Sequence, residues 1–293
     1  MPLSLKSQRR LVTILMLSPA VGLIAVFFLG PAVVTFYYSL TDMAMAGTKA
    51  AQWSFVGLDN YQTLLQDEYF WGSLGNTLLL LVFSGVIGQQ VLGFMVAFYM
   101  QKKPAWLRSV VGGSVILAWV APEIVAAFLF YALYNTNGGI NALLAVFGVE
   151  GAPWLLDYGM PALILANIWR GTAFSMLMYQ SAFDQISDSM LEAAIIDGAR
   201  RSQVLLRVIL PSMKNVISAN TVLVTLQTLG LFGLIYALTG GGPGYETTTL
   251  PIYLYKTAIV NFQLSYGVAT SVMLLLVGIV LSLVFTKLFR EET

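Results

Sequence analysis

Two charged side chains lie alone in long apolar stretches and are the first candidates for chemistry. Glu123 is the one charged residue of segment 109–149, and Arg170 is the one charged residue of segment 158–183. A charge inside a bilayer is costly, so such residues face a bundle interior, a wet cavity or a partner of opposite sign. Counted along uninterrupted helices, both lie roughly 15 Å from the outer end. Three roles follow: an ion pair that locks two helices together, a contact to substrate or gate, and a proton relay.

Polar side chains also follow one face of each of two consecutive apolar segments. One face carries Asn167, Arg170, Gly171, Phe174 and Ser175, and the other carries Asn220, Thr221, Gln227 and Thr228. Such groups can simply bond neighbouring helices, which contributes about 0.6 kcal/mol on average. Two consecutive stripes favour a translocation path for a hydroxylated solute, whose apolar ring faces would stack on aromatic side chains. The aromatic candidates are Trp119, Phe174 and Phe232.

The composition restricts the classes of protein to which the chain can belong. Of 293 residues, 15 are Lys or Arg and 14 are Asp or Glu, whereas 58% are hydrophobic. A soluble domain carries about 25% charged residues. The chain has no Cys and no His, so thiolate and imidazole chemistry are excluded, and it has no P-loop motif. A net charge of +1 gives no reason to expect nucleic-acid binding. The composition therefore indicates a polytopic membrane protein and excludes a soluble enzyme.

The apolar segments predict an all-α protein with six transmembrane helices, each longer than the ~20 residues that cross a bilayer. Their predicted ranges are 11–38, 74–100, 109–134, 160–183, 214–238 and 266–287. The first is predicted to be an uncleaved span rather than a signal peptide. The predicted organisation is a cytoplasmic N-terminus (1–10), the first helix with its outer loop (11–73), a domain of five membrane helices (74–287) and a cytoplasmic tail (288–293).

The distribution of basic residues predicts the orientation of the chain. Twelve of the 15 Lys and Arg residues lie before the first span, after the last span, or in the two connections 101–108 and 184–214. The other three are Lys49, Lys256 and the intramembrane Arg170. Cytoplasmic loops carry the excess of basic residues. Both termini and segment 184–214 are therefore predicted to be cytoplasmic.

Segment 184–214 has the local signals of two short helices joined by a tight turn. Ser189 and Glu192 are spaced as a capping box, which predicts a helix over 190–197. Gly198 can end that helix in the left-handed region, and Ser202 can cap a second helix that runs toward Pro211. The alternative is an amphipathic loop without a specific partner.

This segment carries the string Glu192-Ala-Ala-Ile-Ile-Asp-Gly-Ala199 with Leu210-Pro211 after it. The string resembles the EAA motif of permease subunits in bacterial binding-protein-dependent ABC importers. Trp169-Arg170, Tyr236-Ala-Leu-Thr-Gly-Gly-Gly-Pro243 and Tyr266-Gly267-Val-Ala269 are similar to signatures of the maltose- and glycerol-phosphate-type carbohydrate branch. The resemblance covers essentially the whole chain. The sequence departs from the usual pattern of this branch at Ala173, at 181–187 and at Leu205. It also has Thr228 and Leu231 where the family has a lining rich in Asn, so the resemblance does not identify the substrate.

The resemblance implies a type I permease fold of the methionine-importer kind, in the bacterial inner membrane. It implies a subunit without chemistry of its own that pairs with a second, homologous permease. Two cytoplasmic ATPase subunits would bind ATP and Mg, and an extracytoplasmic binding protein would deliver a sugar. The residues that would couple transport to the ATPase are Glu192, Ala193, Ala194, Asp197 and Gly198. The residues that would line the substrate path are Trp119, Glu123, Asn167, Arg170, Gly171, Phe174, Gln227, Thr228 and Phe232.

Other interpretations of the sequence remain open at this point. An ABC permease for another solute, such as glycerol phosphate or an amino acid, would share the coupling segment. A proton-coupled secondary transporter would use Glu123 as its carrier and need no ATPase. A structural or receptor-like scaffold would not need the polar stripes. The Gly-rich segment 239–244 is predicted to be a flexible outer turn near the gate or the binding-protein dock, rather than a phosphate loop, because no Lys-Ser/Thr follows it.

Overall fold

The computed structural model describes residues 5–290, and it is helical throughout. The first four residues of the predicted cytoplasmic N-terminus and residues 291–293 of the predicted tail lie outside the described residues. Within 5–290 there is no strand, only an isolated bridge between Thr41 and Phe55. The all-α prediction is confirmed. The α-helices in chain order are α1 (Leu5–Ile24), α2 (Gly30–Ser39), α3 (Thr48–Ala51), α4 (Asp59–Gln66), α5 (Glu68–Leu80), α6 (Gln90–Met100), α7 (Ala105–Val120), α8 (Glu123–Tyr134), α9 (Gly139–Val146), α10 (Trp154–Asp157), α11 (Gly159–Phe183), α12 (Asp188–Ile196), α13 (Arg201–Val204), α14 (Leu210–Ser212), α15 (Lys214–Leu229), α16 (Gly233–Leu238), α17 (Leu250–Tyr255) and α18 (Leu264–Arg290).

The described residues contain four π-helical stretches; three of them join successive helices without a break, and the fourth extends α17. They are Ala25–Leu29 between α1 and α2, Leu81–Gln89 between α5 and α6, Leu205–Ile209 between α13 and α14, and Lys256–Val260 after α17. A π-turn widens the helix locally and changes the direction in which the following side chains point. The stretch Leu81–Gln89 occupies the middle of the second predicted span and carries the buried polar side chains of Ser84 and Gln89, and a third, Gln90, follows it at the start of α6.

Within residues 5–290, three helices are long and apolar enough to cross a bilayer: Thr13–Ser39, Glu68–Met100 and Leu264–Leu288. Two bent pairs can each supply a further span, namely Ala105–Val120 with Glu123–Val146 and Arg201–Ser212 with Lys214–Leu229. Helix α11 is 25 residues long and contains Asn167 and Arg170, which lower its apolar character. At ~1.5 Å per residue it also has the length of a span. The prediction of six membrane helices is therefore consistent with the structure in number, but not in continuity.

The third and fifth predicted spans are broken. The predicted helix 109–134 is wrong as a single rod, because α7 and α8 meet at Ala121 and Pro122 with a bend of 104°. Proline has no amide proton to donate, and the residue before it avoids the helical region. The predicted helix 214–238 is interrupted at 230–232, between α15 and α16. The depth of Glu123 inferred from an uninterrupted helix is therefore not valid.

The described residues form two compact units. The first comprises the residues up to Gln66 together with Leu254–Val272, and the second comprises Asp67–Tyr253 and the residues from Met273 onward. In the first unit, the Thr41 and Ser265 hydroxyls lie 2.8 Å apart, and the Asn60 amide donates to the carbonyls of Ser39 and Thr41. In the apolar 18-residue window of the Thr13–Ser39 helix no residue is buried, which leaves its apolar surface to lipid or to another chain.

The second unit has two apolar cores. One surrounds Phe130, Leu163 and Leu234, and the other surrounds Met176, Tyr179 and Met213. Helices α6 and α11 pack closely against each other at Gly93. An added Cβ at this position would lie 2.5 Å from Cβ of Ser175. Small residues at such contacts are the usual means by which membrane helices approach each other.

Candidate functional site

Glu123 lies directly after the break in the third span and begins α8. Its Oε2 accepts hydrogen bonds from the backbone N–H groups of Gly233, at 2.7 Å, and of Leu234, at 3.3 Å. These amides open α16 and have no partner within that helix. The carboxylate therefore caps the broken fifth span from the broken third span, and its negative charge is favourable at a helix N-terminus.

Glycine is required at position 233 by this contact. An added Cβ there would lie 2.8 Å from Oε2 and 3.1 Å from Cβ of Glu123. Any side chain would thus push the carboxylate away from the amides that it caps. The two breaks in the helices, at 121–122 and 230–232, are held against each other by one side chain.

Arg170 on α11 reaches the same carboxylate. Its Nη2 lies 3.7 Å from Oε1 of Glu123, and the two side chains are 22% and 31% exposed. At that separation the pair attracts by charge without forming a good hydrogen bond. The guanidinium Nε is buried and has no hydrogen-bond partner among the described residues. The two charges predicted from the sequence do meet, and they join α8, α11 and α16.

Three other predicted path residues lie in contacts with the second span. The Asn167 amide donates to the Ser84 hydroxyl at 2.7 Å, and its backbone carbonyl accepts from Gln89 at 3.1 Å. Gln89 lies so close to Gly171 that an added Cβ would be 2.1 Å from its Oε1. A Cβ at Gly85 would lie 3.1 Å from Oγ1 of Thr228. Asn167, Gly171 and Thr228 are buried in this conformation, and their contact with substrate stays a prediction.

The predicted aromatic residues and Gln227 are more accessible. The rings of Trp119 and Phe174 have centroids 5.9 Å apart, and both side chains are half-buried. Phe174 lies one helical turn beyond Arg170 on α11. Phe232 stacks on Tyr236 at 5.3 Å and directly precedes the amides capped by Glu123. Gln227 is exposed. The structure thus places Trp119, Phe174 and Phe232 on elements that meet at Glu123 and Arg170.

A buried polar network at the start of α6 was missed by the sequence analysis. Oε1 of Gln90 accepts a hydrogen bond from the Tyr179 hydroxyl and one from the Asn220 amide, the latter at 2.7 Å. It joins α6, α11 and α15 in the apolar interior, where an unmade hydrogen bond is costly. The pair Gln89-Gln90 in the otherwise uncharged stretch 69–101 was the signal that could have revealed it.

The predicted coupling segment is a helix–turn–helix. Helix α12 ends at Ile196, and Gly198 has φ +78°. The N–H of Ala199 donates to the Ala194 carbonyl and that of Gly198 to the Ile195 carbonyl, both at 3.0 Å, which is a Schellman motif. The predicted role of Gly198 as the end of the helix is confirmed. Glu192, Ala193, Asp197 and Gly198 are exposed, and Ala194 is half-buried.

The two predicted caps of this segment are wrong. Helix α12 begins at Asp188, directly after Ser187, and thus before the predicted start at residue 190. Ser189 therefore lies inside the helix, and its hydroxyl contacts the Ser187 hydroxyl at 3.2 Å. The second helix begins after Arg200, whose backbone N–H donates to Oε1 of Gln203 at 2.8 Å. Ser202 is therefore also inside a helix. Gln203, three residues beyond Arg200, instead satisfies the backbone N–H of Arg200 at the start of the helix, which is the glutamine half of a capping box.

The Gly-rich segment 239–244 is more strongly bonded than the flexible turn predicted from its sequence. The Thr247 hydroxyl donates to the Gly242 carbonyl at 2.9 Å, and the Thr248 hydroxyl donates to the Gly241 carbonyl at 2.6 Å. Both threonines are buried. In the described part of the chain, no group of three or more acidic side chains is placed to hold a metal ion.

Comparison with known protein families identifies the architecture. Residues 89–291 match the model of the binding-protein-dependent transport system inner membrane component. The chain belongs to this family. It is thus a multi-pass component of the inner membrane in a transport system that depends on a binding protein, and the resemblance read from the EAA string is confirmed.

Individual relatives align with this chain over nearly its full length. The chain is 31% identical to the trehalose/maltose transport system permease protein of Thermococcus litoralis, over 94% of this chain and 92% of that protein. It is 28% identical to the sulfoquinovosyl glycerol transport system permease protein of Agrobacterium fabrum, over 97% and 92%. Among solved structures, a chain of a bacterial alginate ABC transporter in complex with a pentasaccharide-bound periplasmic protein has a TM-score of 0.81 at 23% identity, covering 98% of this chain and 96% of that one. The last likeness shows that the fold is that of an ABC importer permease.

Proposed function

We propose that this chain is the permease subunit of an ATP-driven importer and forms part of the translocation path for a sugar. The observation that carries the proposal is the exposed hairpin of α12 and α13. Its helix α12 ends in Ile195 and Ile196, which are 64% and 84% exposed. Two large apolar side chains at the end of a charged helix favour a partner protein that covers them.

The partner of this hairpin is proposed to be a cytoplasmic ATPase subunit. Ala193 has no bulk beyond its Cβ and is exposed, so another protein can approach the helix backbone closely. Glu192 and Asp197 place exposed carboxylates on either side of the apolar tip. The basic residues of the same segment, which put it in the cytoplasm together with both termini, support this assignment.

The remaining parts of the assembly follow from the same proposal. A second, homologous permease subunit completes the path, and two ATPase subunits bind ATP and Mg. An extracytoplasmic binding protein delivers the solute. This chain performs no chemical step and binds no cofactor of its own. Closure of the ATPases on ATP moves the hairpins, and the movement opens the path alternately to the two sides of the membrane.

A sugar is proposed as the solute because of the side chains around Glu123 and Arg170. Trp119, Phe174 and Phe232 offer aromatic faces to the apolar side of a sugar ring. The amide of Gln227 on α15 is exposed and suits hydroxyl groups. Relatives at about 30% identity are named for trehalose, maltose and a sulfoquinovosyl glycerol, which supports the same class of solute.

Uptake by the complete complex in proteoliposomes tests the proposal. Labelled maltose, trehalose, glycerol 3-phosphate and an amino acid are each supplied with a cognate binding protein, with and without internal ATP. We expect ATP-dependent uptake of one of the sugars, and strong loss of uptake in Ile196→Glu, which places a charge in the apolar tip.

Val146→Glu is the matched control for this variant. Val146 is the last residue of α9, it is 79% exposed, and it also precedes a Schellman turn. It should retain uptake. ATP-dependent uptake of glycerol 3-phosphate or the amino acid alone would contradict the sugar assignment. Uptake that follows a proton gradient without ATP would contradict the importer itself.

A further inference from the structure

A separate cavity of about 400 Å³ opens at the end of the second unit that contains the loops after α8 and α16. It is formed by three segments: the end of α8 with the turn after it, the start of α10, and the end of α16 with the Gly-rich segment. None of the path residues named above lines it. Its volume lies in the range of ~300–1,000 Å³ in which proteins hold small molecules.

The side chains that line the cavity combine aromatic rings with uncharged polar groups. Tyr131 and Tyr134 contribute phenols, Asn135 contributes an amide, and Thr136 contributes a hydroxyl. The opposite wall is formed by prolines and leucines, including Pro153 and Leu156. Among the described residues that line it, none carries a charge. An uncharged ligand with one apolar face and several hydroxyl groups matches this surface.

Two walls of the cavity are fixed by a single side chain. The Asn141 amide donates to the carbonyls of Thr136 and Ala152, both at 2.9 Å. Its Oδ1 accepts from the indole N–H of Trp154 at 2.7 Å and from the Ala152 amide at 3.2 Å. Every hydrogen-bonding position of this side chain is thus used to hold the turn after α8 against the start of α10.

The third wall is fixed by the threonine pair that follows the Gly-rich segment. Thr247 holds the Gly242 carbonyl and also contacts the Thr239 hydroxyl at 2.9 Å, while Thr248 holds the Gly241 carbonyl. Tyr134, which is 5% exposed, closes the inner end of the cavity. The cavity is therefore formed before any ligand arrives, and a site that needs no ordering of loops loses less free energy on binding.

We propose that this cavity is a binding site for one uncharged sugar ring, separate from the path between the spans. The C–H face of a pyranose packs on the tyrosine rings and the leucine–proline wall, and its hydroxyl groups meet Asn135 and Thr136. The proposal rests on the proposed function in two respects, the class of solute and the orientation that turns these loops outward. There the site holds a sugar at the outer mouth of the permease.

Binding to the permease complex in lipid nanodiscs, without the binding protein, tests the inference. Saturation-transfer NMR titrations use glucose, galactose, maltose and trehalose as probes. We expect one or more of these sugars to bind, and Leu156→Trp to weaken the binding at least tenfold by filling the cavity. Thr136→Val removes one hydroxyl at nearly constant shape and should weaken binding several-fold.

Leu143→Trp is the matched control, because Leu143 is 61% exposed on α9 and Leu156 is 62% exposed on α10, but Leu143 does not line the cavity. It should bind the sugar as the wild type does. Absence of binding by all four probes, or binding that Leu156→Trp leaves unchanged, overturns the inference. Loss of binding-protein docking in Leu156→Trp without any sugar binding would assign the cavity to a protein contact instead. ATP-driven uptake that persists in either case would leave the proposed function standing.

Discussion

Replacing Gly233 by alanine should separate Glu123 from the helix that it caps. The added Cβ would lie 2.8 Å from Oε2 and 3.1 Å from Cβ of the glutamate. Both separations are shorter than van der Waals contact, so the glutamate side chain must move. Its movement lengthens the hydrogen bonds from the N–H groups of Gly233 and Leu234.

The expected loss of stability follows from these two bonds. A hydrogen bond to a charged group contributes about 1.5–3 kcal/mol to folding. The 2.7 Å bond from Gly233 falls in this class, whereas the 3.3 Å bond from Leu234 is weak. We therefore expect Gly233→Ala to lower the free energy of unfolding by about 2 kcal/mol. On the scale of ~2–4 °C per kcal/mol, the unfolding midpoint should fall by roughly 4–8 °C.

Gly230→Ala is the control for this measurement. Its added Cβ would lie 3.6 Å and 3.8 Å from two carbonyl oxygens of the preceding turn, which is ordinary contact. Thermal unfolding of both variants in lipid nanodiscs, followed by tryptophan fluorescence, compares them directly. Equal midpoints for the two variants would refute the reasoning, because Glu123 would then leave its amides at no cost.

Three further predictions follow from other contacts. Glu123→Gln keeps an oxygen acceptor for the Gly233 amide, so ATP-driven uptake should fall by less than about tenfold, or 1.4 kcal/mol; complete loss would indicate a proton carrier. Gly93→Val should destabilise by about 1–3 kcal/mol in nanodisc unfolding, because the helices must separate; Gly75→Val, with open space around it, should not. Asp42 accepts from the Ser54 amide and pairs with a lysine, which holds the pKa of its carboxyl below the ordinary 3.8. Its stabilising effect is therefore present above that value and lost as the pH falls through the lowered pKa. The protection factor of the Ser54 amide, which compares its exchange with that of an unprotected amide at the same pH, should fall there in the wild type and stay constant in Asp42→Asn.

Local features of the structure could be predicted from the sequence. The turn at Gly198 was predictable because a positive φ favours glycine whatever the surroundings. The six apolar segments were visible because each needs only its own residues to span a bilayer. The exact caps were not predictable, because Ser187, Ser189 and Ser202 are all acceptable caps by type, and the tertiary context decides among them.

Contacts between distant segments could not be predicted in the same way. Pro122 was visible in the sequence, but the apolar run around it continued and gave no sign of a 104° bend. Glu123 and Gly233 are 110 residues apart, and nothing local to either residue indicates the other. The depth count for Glu123 failed for the same reason, and an ion pair with Arg170 was only one of the three roles that the sequence left open.

The assignment of buried polar residues was also beyond the sequence. Asn167 and Thr228 lie on polar stripes that fit a path, yet their nearest contacts are Ser84 and Gly85 on the second span. A periodic polar stripe shows that a helix has a polar face. It does not show whether that face meets another helix or a wet cavity.

The hairpin around Gly198 is proposed to couple transport to an ATPase, and one paired comparison of glycine variants tests this role. Gly198 and Gly148 have φ values of +78° and +70°, each ends a helix in a Schellman turn, and neither has an atom within 4 Å of an added Cβ. Valine at either position should cost about 1–2 kcal/mol of backbone strain.

The measurement is the ATP hydrolysis of the reconstituted complex, with the number of ATPase subunits that co-purify per permease. We expect the Gly198→Val complex to co-purify with fewer ATPase subunits. We also expect it to lose the ATP hydrolysis that a sugar-loaded binding protein stimulates. Gly148→Val should retain its ATPase subunits, although its strain is the same. Equal retention of ATPase subunits and of stimulated hydrolysis in both variants would contradict the coupling role of the hairpin.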